Sequence, residues 1–350
     1  MRKKELVFFI SIFLVSAIIL GCITTSNEQH NTGNQSILSH EGKITPHNSP
    51  EKGHEKLNKS SAKANGENES NTRQIRVVDD FGYVVVFNKT PKRIVSLAPS
   101  NTEILFALGL GNNVVGVTDY CDYPPEAKKK PKIGGYSTVN IEKVLALNPD
   151  LVVAAYGNGA ETIEILRGYG IRVVALNPKN LSDVMRDIML LGKITGREEN
   201  ATRLVEMMKK KIDEVKRRAA NISSKPEVAH VLWNDPVWVS GRDTFVDELI
   251  KIAGGKNAFE DMEGWKIVSI EDFLARNPDI IIVNSGTGMS KGNNILYHWA
   301  LKELKDVKAV REGRVYVIDS DIISRPSYRL VYALEEISKI IQDYSKSKGK

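Results

Sequence analysis

The sequence predicts an α/β protein of two related lobes, each built on a parallel central sheet and joined by a single long rigid helix. Three observations predict it. Short apolar runs alternate with helical stretches over most of the chain after residue 73, the pattern of a parallel sheet covered by helices. The segment NIEKVLALNPDLVV at 140–153 returns as SIEDFLARNPDIII at 269–282. Between the two copies, Leu204, Met208, Ile212, Val215 and Ala219 form one apolar stripe at helical spacing, with Lys and Arg on the other face.

Taken in order, MRKKELVFFISIFLVSAIILGC at 1–22 has a basic start and an apolar run from Leu6 to Leu20. The run is shorter than the ~20 residues of a comfortable membrane span and has the layout of an export signal. Gly21 and Cys22 close it, and ILGC resembles a lipobox, which makes Cys22 the expected lipidation site. The other reading is an uncleaved signal anchor with an incidental cysteine. Both put the rest of the chain outside the cytoplasm. Cys121 is the one other cysteine, so with Cys22 lipidated no disulfide forms within the chain.

Residues 23–72 are almost without large apolar side chains. Such a segment cannot bury enough surface to offset its ordering entropy and reads as a disordered polar tether. It holds His30, His40, His47 and His54, which fit a solvated linker or a loose metal-binding tract, and Asn-x-Ser sequons at Asn34, Asn58 and Asn68.

The first lobe is expected over 73–179. QIRVVDDFGYVVVF reads as a hairpin. Then come a strand at Ile94–Leu97, a turn at Pro99–Ser100 and a helix from about Thr102. Further strands fall at Val114–Val117, 151–154 and 171–175, with helices at 141–147 and 161–168 between them. Linking helices follow over 180–224; Glu198 to Ala220 would span ~34 Å at ~1.5 Å per residue, enough to pass from one domain to the next. The second lobe, 225–350, resumes the alternation through EVAHVLW, FVDELIKIAGG, SIEDFLARNPDIIIV and GRVYVID, and ends in a helix after Tyr328.

The repeat marks paired lobes. In each copy Asn140 or Ser269 caps a helix, Glu142 or Glu271 sits in its first turn, and an Asn-Pro ends it. A second echo sets TEILFALGLGNN at 102–113 against VDELIKIAGGKN at 246–257. A first-turn glutamate is favoured by about 0.3–1 kcal/mol through the helix dipole alone. That explains each glutamate singly and leaves their matched positions open.

Several functions are excluded or disfavoured. The net charge of +6 spreads over interspersed acids and bases, with no basic stripe carrying aromatics, which argues against nucleic acid. His-Glu-x-x-His is absent. Only His230 and His298 lie in the folded part, too few for most histidine chemistry or for a zinc- or manganese-binding site. No enzyme activity, bound metal or resident cofactor is expected.

From Arg73 onward the chain resembles the cobalamin- and iron-siderophore-binding proteins of ABC importers. RIVSLAPSNTEILFALGLGNNVVGVTDYCDYPPEAKKKPKIGGYSTVNIEKVLALNPDLVVA and WVSGRDTFVDELIKIAGGKNAF carry the resemblance, and GVTDYCDYPP is most similar to the cobalamin-binding branch. The resemblance implies two Rossmann-like lobes joined by one rigid helix, the class III periplasmic-binding-protein fold. It implies a monomeric, lipid-anchored protein on the outer face of the cytoplasmic membrane that delivers its ligand to a permease dimer and, through it, to the ATPase subunits. Glu142 and Glu271 match the glutamates that dock onto permease arginines, one per lobe. The ligand is then expected between the lobes, outside the carboxyl ends of the strands, near Pro99, Ser100, Tyr120, Tyr136, Trp233, Trp238, Trp265, Asp321 and Arg325. Family pattern puts Tyr120 and Tyr136 on one wall, Trp265 on the other, and Asp321 and Arg325 as polar contacts. Flat aromatic walls suit a corrinoid, a broad, partly apolar disc edged with amides. Ala155-Tyr156 stands where the family pattern has tryptophan, so a siderophore or haem remains the alternative ligand.

Overall fold

Asp79, Asp80, Phe81 and Gly82 turn the chain between β1 (Ile75–Val78) and β2 (Val84–Phe87), and Gly82 adopts the positive φ of 77° that the turn needs. The computed structural model describes residues 74–222, 224–285 and 294–348. The chain divides into two units, 1–72 and 73–350; the first lies wholly outside the described residues, and with it the signal segment, Cys22, the tether histidines and the tether sequons.

After the hairpin come β3 (Ile94–Ser96), α1 (Pro99–Ala107), β4 (Val114–Val117), α2 (Ile141–Ala146), β5 (Leu151–Ala155), α3 (Ala160–Gly168) and β6 (Val173–Leu176). The four strands of this lobe form a parallel sheet in the order β4-β3-β5-β6. Ile94, Leu151 and Val153 face one core while Val95, Val152 and Ala154 face another, so each strand buries both faces and reads as an unbroken apolar run.

Two helices lead out, α4 (Leu181–Thr195) and α5 (Glu198–Ala219), with Gly196 left-handed between them. Of the α5 stripe, Met208, Ile212 and Val215 are buried, while Leu204 and Ala219 are partly so. The three buried residues, with Val205, enter a core that also holds Ile94 and Leu105 of the first lobe and Val228 and Leu249 of the second. That shared core packs the linking helix along its length and stiffens it. Truncating Met208 to Ala there would cost about 2–5 kcal/mol.

The second lobe runs β7 (Glu227–Asn234), β8 (Val237–Ser240), α6 (Phe245–Ile252), β9 (Lys256–Asn257), β10 (Trp265–Val268), α7 (Ile270–Arg276), β11 (Ile280–Asn284), α8 (Ile295–Glu303), α9 (Lys308–Arg311), β12 (Val315–Ile318), α10 (Ser320–Ile323) and α11 (Leu330–Lys348). Here the expectation of a parallel sheet is corrected. β7, β11 and β12 are parallel, but β8 runs antiparallel to β7 and β10 antiparallel to β8. The cause is local: only Asp235 and Pro236 separate β7 from β8, and so short a connection can join only antiparallel neighbours.

The repeated segments share one job. Asn140 Oδ1 accepts from the Lys143 N–H at 2.9 Å and Ser269 Oγ from the Asp272 N–H at 3.0 Å, capping α2 and α7. Asn148 and Asn277 then turn left-handed ahead of Pro149 and Pro278. The next residue ties down the start of the first strand of its lobe's main sheet: Asp150 accepts from the Lys92 and Arg93 N–H groups ahead of β3, and Asp279 from that of Glu227 in β7. The glutamates serve none of these bonds. Glu142 and Glu271 are both exposed.

Candidate functional site at the facing ends of the two lobes

The carboxyl ends of β4 and β5 carry aromatics, beside the turn that follows β3. Pro99 and the buried Ser100 open α1, where Thr102 Oγ1 bonds Ser96 Oγ at 2.8 Å and fixes the turn after β3. After β4, the segment 118–123 is anchored underneath. The buried Cys121 thiol lies 3.1 Å from the hydroxyls of Thr102 and Thr118, and Lys132 Nζ donates to the carbonyls of Thr118 and Cys121. Burial pushes the Cys121 thiol above its ordinary pKa, which keeps it protonated and structural. The anchoring leaves Tyr120 on the surface, 43% exposed.

Asn158 sets the next part. Its side chain is buried; it donates to the carbonyls of Leu97 and Tyr136 and accepts from the Ala155 N–H, drawing the 134–138 loop over the end of β5. Tyr136 thereby lies across Gly157, where a Cβ would stand 2.3 Å from its ring. Burial raises the Tyr136 hydroxyl pKa, partly offset by the hydrogen bond from Gly157 N–H. Beyond it, the exposed Tyr156 stacks on Phe81 of the hairpin turn, with ring centroids 6.2 Å apart and planes 17° apart, and Lys179 Nζ lies 5.3 Å from the Tyr156 centroid. Phe81 was not expected at the site. It comes from a turn distant in sequence, and only the closed hairpin puts it there.

In the second lobe, Trp233 and Trp238 are direct cross-strand neighbours at the carboxyl end of β7, and Trp233 Nε1 donates to the Asp235 carbonyl at 3.0 Å. Trp265 is further down: it pairs with Ser240, while Ile267 pairs with Trp238. Two residues along a strand amount to ~7 Å. Trp265 is partly buried, packs against the shared core and meets His230 edge-on at 6.1 Å. His230 is fully enclosed between Ser240 Oγ (2.8 Å) and Asn284 Oδ1 (2.9 Å), and burial lowers its pKa to about 4. The imidazole is therefore neutral. Among the described residues no group of three or more His, Cys, Asp or Glu side chains could hold a metal.

The loop after β12 joins the two edges. Arg325 Nη1 is 3.1 Å from Glu103 Oε1 and 2.8 Å from Asp122 Oδ1, and its Nη2 is 2.8 Å from Asp321 Oδ1. Arg329 Nη1 reaches Glu103 at 2.9 Å while its guanidinium lies 3.9 Å over the Tyr123 ring, and Ser327 donates its hydroxyl proton to Glu103. Glu103 is buried in α1. Desolvation raises its pKa, and Ser327 with the two arginines pulls it back toward the ionised form. Arg325 and Asp321 therefore stand in an ionic bridge between the lobes. The sequence reading passed over Glu103, Asp122 and Arg329. The available signal was a lone acid at the head of an apolar helix, with two arginines spaced four apart elsewhere.

Two lobes with aromatics at their strand ends, an ionic bridge between them and a packed linking helix suit a binding protein. Residues 94–322 match the sequence model of a family described as periplasmic binding protein. The chain belongs to that family. It is 37% identical, over 76% of its length and 85% of the relative's, to the Uncharacterized ABC transporter substrate-binding lipoprotein YvrC of Bacillus subtilis (strain 168). It is 30% identical to the vitamin B12-binding protein of Yersinia pestis (strain Pestoides F), over 70% of this chain and 85% of that one. Among solved structures, the periplasmic heme-binding protein RhuT from Roseiflexus sp. RS-1 in apo form matches with a TM-score of 0.66 at 32% identity, over 73% of this chain and 99% of that one. All three of these relatives are named as binding proteins. The fold is the class III periplasmic-binding-protein fold, with one parallel and one mixed sheet. Among the described residues no helix is long and apolar enough to cross a membrane.

Proposed function

We propose that this periplasmic binding protein is the extracytoplasmic substrate-binding lipoprotein of an ABC importer, capturing cobalamin or a related corrinoid between its lobes. The observation that carries the reading is the aromatic edge of the first lobe, Tyr120, Tyr136 and Tyr156, with Arg325 of the second lobe bridging to Glu103, Asp122 and the Tyr120 carbonyl beside it. Rings of this kind stack on a flat macrocycle, and the carboxylates beside Arg325 accept hydrogen bonds from peripheral amides. Pro99 and Ser100 line the turn beneath. The vitamin B12-binding relative supports a corrinoid, and the heme-binding neighbour supports haem as the second reading.

Delivery follows from the exposed glutamates. Glu142 and Glu271, exposed one per lobe, would pair with arginines of a permease dimer, which couples to ATPase subunits. Cys22, lipidated, would hold the protein at the outer face of the cytoplasmic membrane, in keeping with the lipoprotein relative. The protein would act as a monomer, without nucleic acid. Calorimetric titration of the purified protein with cyanocobalamin, cobinamide, haemin and a ferric siderophore tests the ligand. Saturable one-to-one binding of a corrinoid, tighter than the others, is expected; preferential binding of haemin or a siderophore would move the protein to the second reading.

A further inference from the structure

The charges around the inter-lobe bridge bear on which ligands this cleft accepts. Ligands rimmed with carboxylates, such as haem with its propionates, are gripped by guanidinium or ammonium groups with free donors. Here the cations along the bridge are engaged already. Arg325 serves three carboxylates, those of Glu103, Asp122 and Asp321. Arg329 serves Glu103 and covers Tyr123. Lys132 is turned under the 118–123 segment onto two backbone carbonyls. Asp319 adds to the acidic side: its carboxylate caps α10 by accepting from the Asp321 N–H and acts electrostatically on Asp321. At the bridge itself, three carboxylates face two guanidiniums.

An incoming carboxylate competes at Arg325 with Glu103, Asp122 and Asp321, and displacing Asp122 or Asp321 leaves that acid part-buried beside the new negative charge. An amide or amine rim meets no such conflict. Carboxylate oxygens accept more than one hydrogen bond, so at the part-exposed Asp122 and Asp321 an N–H donor adds to the network without dismantling it, while the buried Glu103 stays out of reach. We propose that the bridge makes this cleft selective for macrocycles whose rim carries uncharged hydrogen-bond donors or positive charge, and makes it reject those rimmed with carboxylates. The proposal rests on the cleft being the ligand site, and it narrows the ligand class within that reading.

The test uses pairs matched in shape and differing in charge: cyanocobalamin against its derivative with one peripheral amide hydrolysed to the acid, and the bis-amide of haemin against haemin. In either pair that binds, the amide member should bind at least about tenfold more tightly. Asp122→Asn, which releases one acid from Arg325, should narrow the ratio. Equal affinities within a pair, or a preference for the acid, would overturn the inference. Binding of the porphyrin pair alone would remove the corrinoid reading and leave the charge rule to be decided on that pair. If neither pair binds, the inference falls together with the cleft as a macrocycle site.

Discussion

Asn148 and Asn277 adopt the same left-handed backbone, with φ of 45° and 44°, at the same point of two lobes that are otherwise built on different sheets. Each ends a short capped helix whose first turn exposes a glutamate, Glu142 in one lobe and Glu271 in the other. A pair of matched, exposed carboxylates is what a symmetric acidic-to-arginine docking contact needs. In Glu142→Ala and Glu271→Ala, ligand affinity of the purified protein should be unchanged while cellular uptake falls, most in the double variant. If their whole role is to favour the helix dipole, uptake stays normal and each substitution costs only about 0.3–1 kcal/mol of stability.

Tyr136 lies over Gly157 so closely that any side chain there must move it. Gly157→Ala is expected to cost about 1–3 kcal/mol in thermal or urea unfolding and to weaken ligand binding about tenfold, a change of ~1.4 kcal/mol. Tyr136→Ala should weaken binding without the packing penalty. Unchanged affinity in both would mean that Tyr136 serves the loop and not the ligand.

The pKa of His230 is lowered by burial from 6.5 to about 4. The unfolded imidazole takes up a proton below pH 6.5, and the folded one does so only near pH 4. Its contribution is therefore fully present above pH 6.5, falls as the pH drops, and is lost by about pH 4. The change should be about 3 kcal/mol. Urea midpoints across that range should show this acid slope, and His230→Gln should flatten it.

Asp187 works the other way. Its carboxyl is buried beside Asp80 and Asp183, one of its oxygens has no hydrogen-bond partner, and desolvation raises its pKa to about 7 despite Arg186 at 3.1 Å. A raised carboxyl contributes stability that is complete below pH 3.8 and lost as the pH rises through 7. Asp187→Asn should gain nothing below about pH 4 and on the order of 2–4 kcal/mol above pH 7. Between pH 4 and 6.5 the two groups oppose each other, so each variant uncovers the slope of the other in the urea midpoint.

Much of the fold was legible because the signals are local. The parallel strands of the first lobe are short apolar runs, the α5 stripe has helical spacing, and Asn-Pro-Asp recurs because each copy closes a helix and ties down a strand. The antiparallel part of the second sheet was not legible: β8 and β10 are four residues each, and β10 presents an exposed Lys266 and Ile267 in place of an apolar run. The site divides the same way. Tyr120 closely follows β4, and it and Tyr136 could be placed through the family resemblance. The partners of Glu103 lie more than 220 residues away, and Phe81 reaches Tyr156 only after the hairpin has docked. Side chains whose partners are set by the tertiary fold leave no periodic trace in the sequence.

Crystals grown with cyanocobalamin would test the central claim most directly, because anomalous scattering from cobalt locates the ligand without reference to its shape. The account predicts one cobalt peak between the lobes, with the corrin face against Tyr120 and Tyr136 on one side, the Trp233–Trp238 end on the other, and its amide rim at Asp122 and Asp321. A cobalt peak on an outer surface of either lobe, or no peak at saturating ligand, would contradict it.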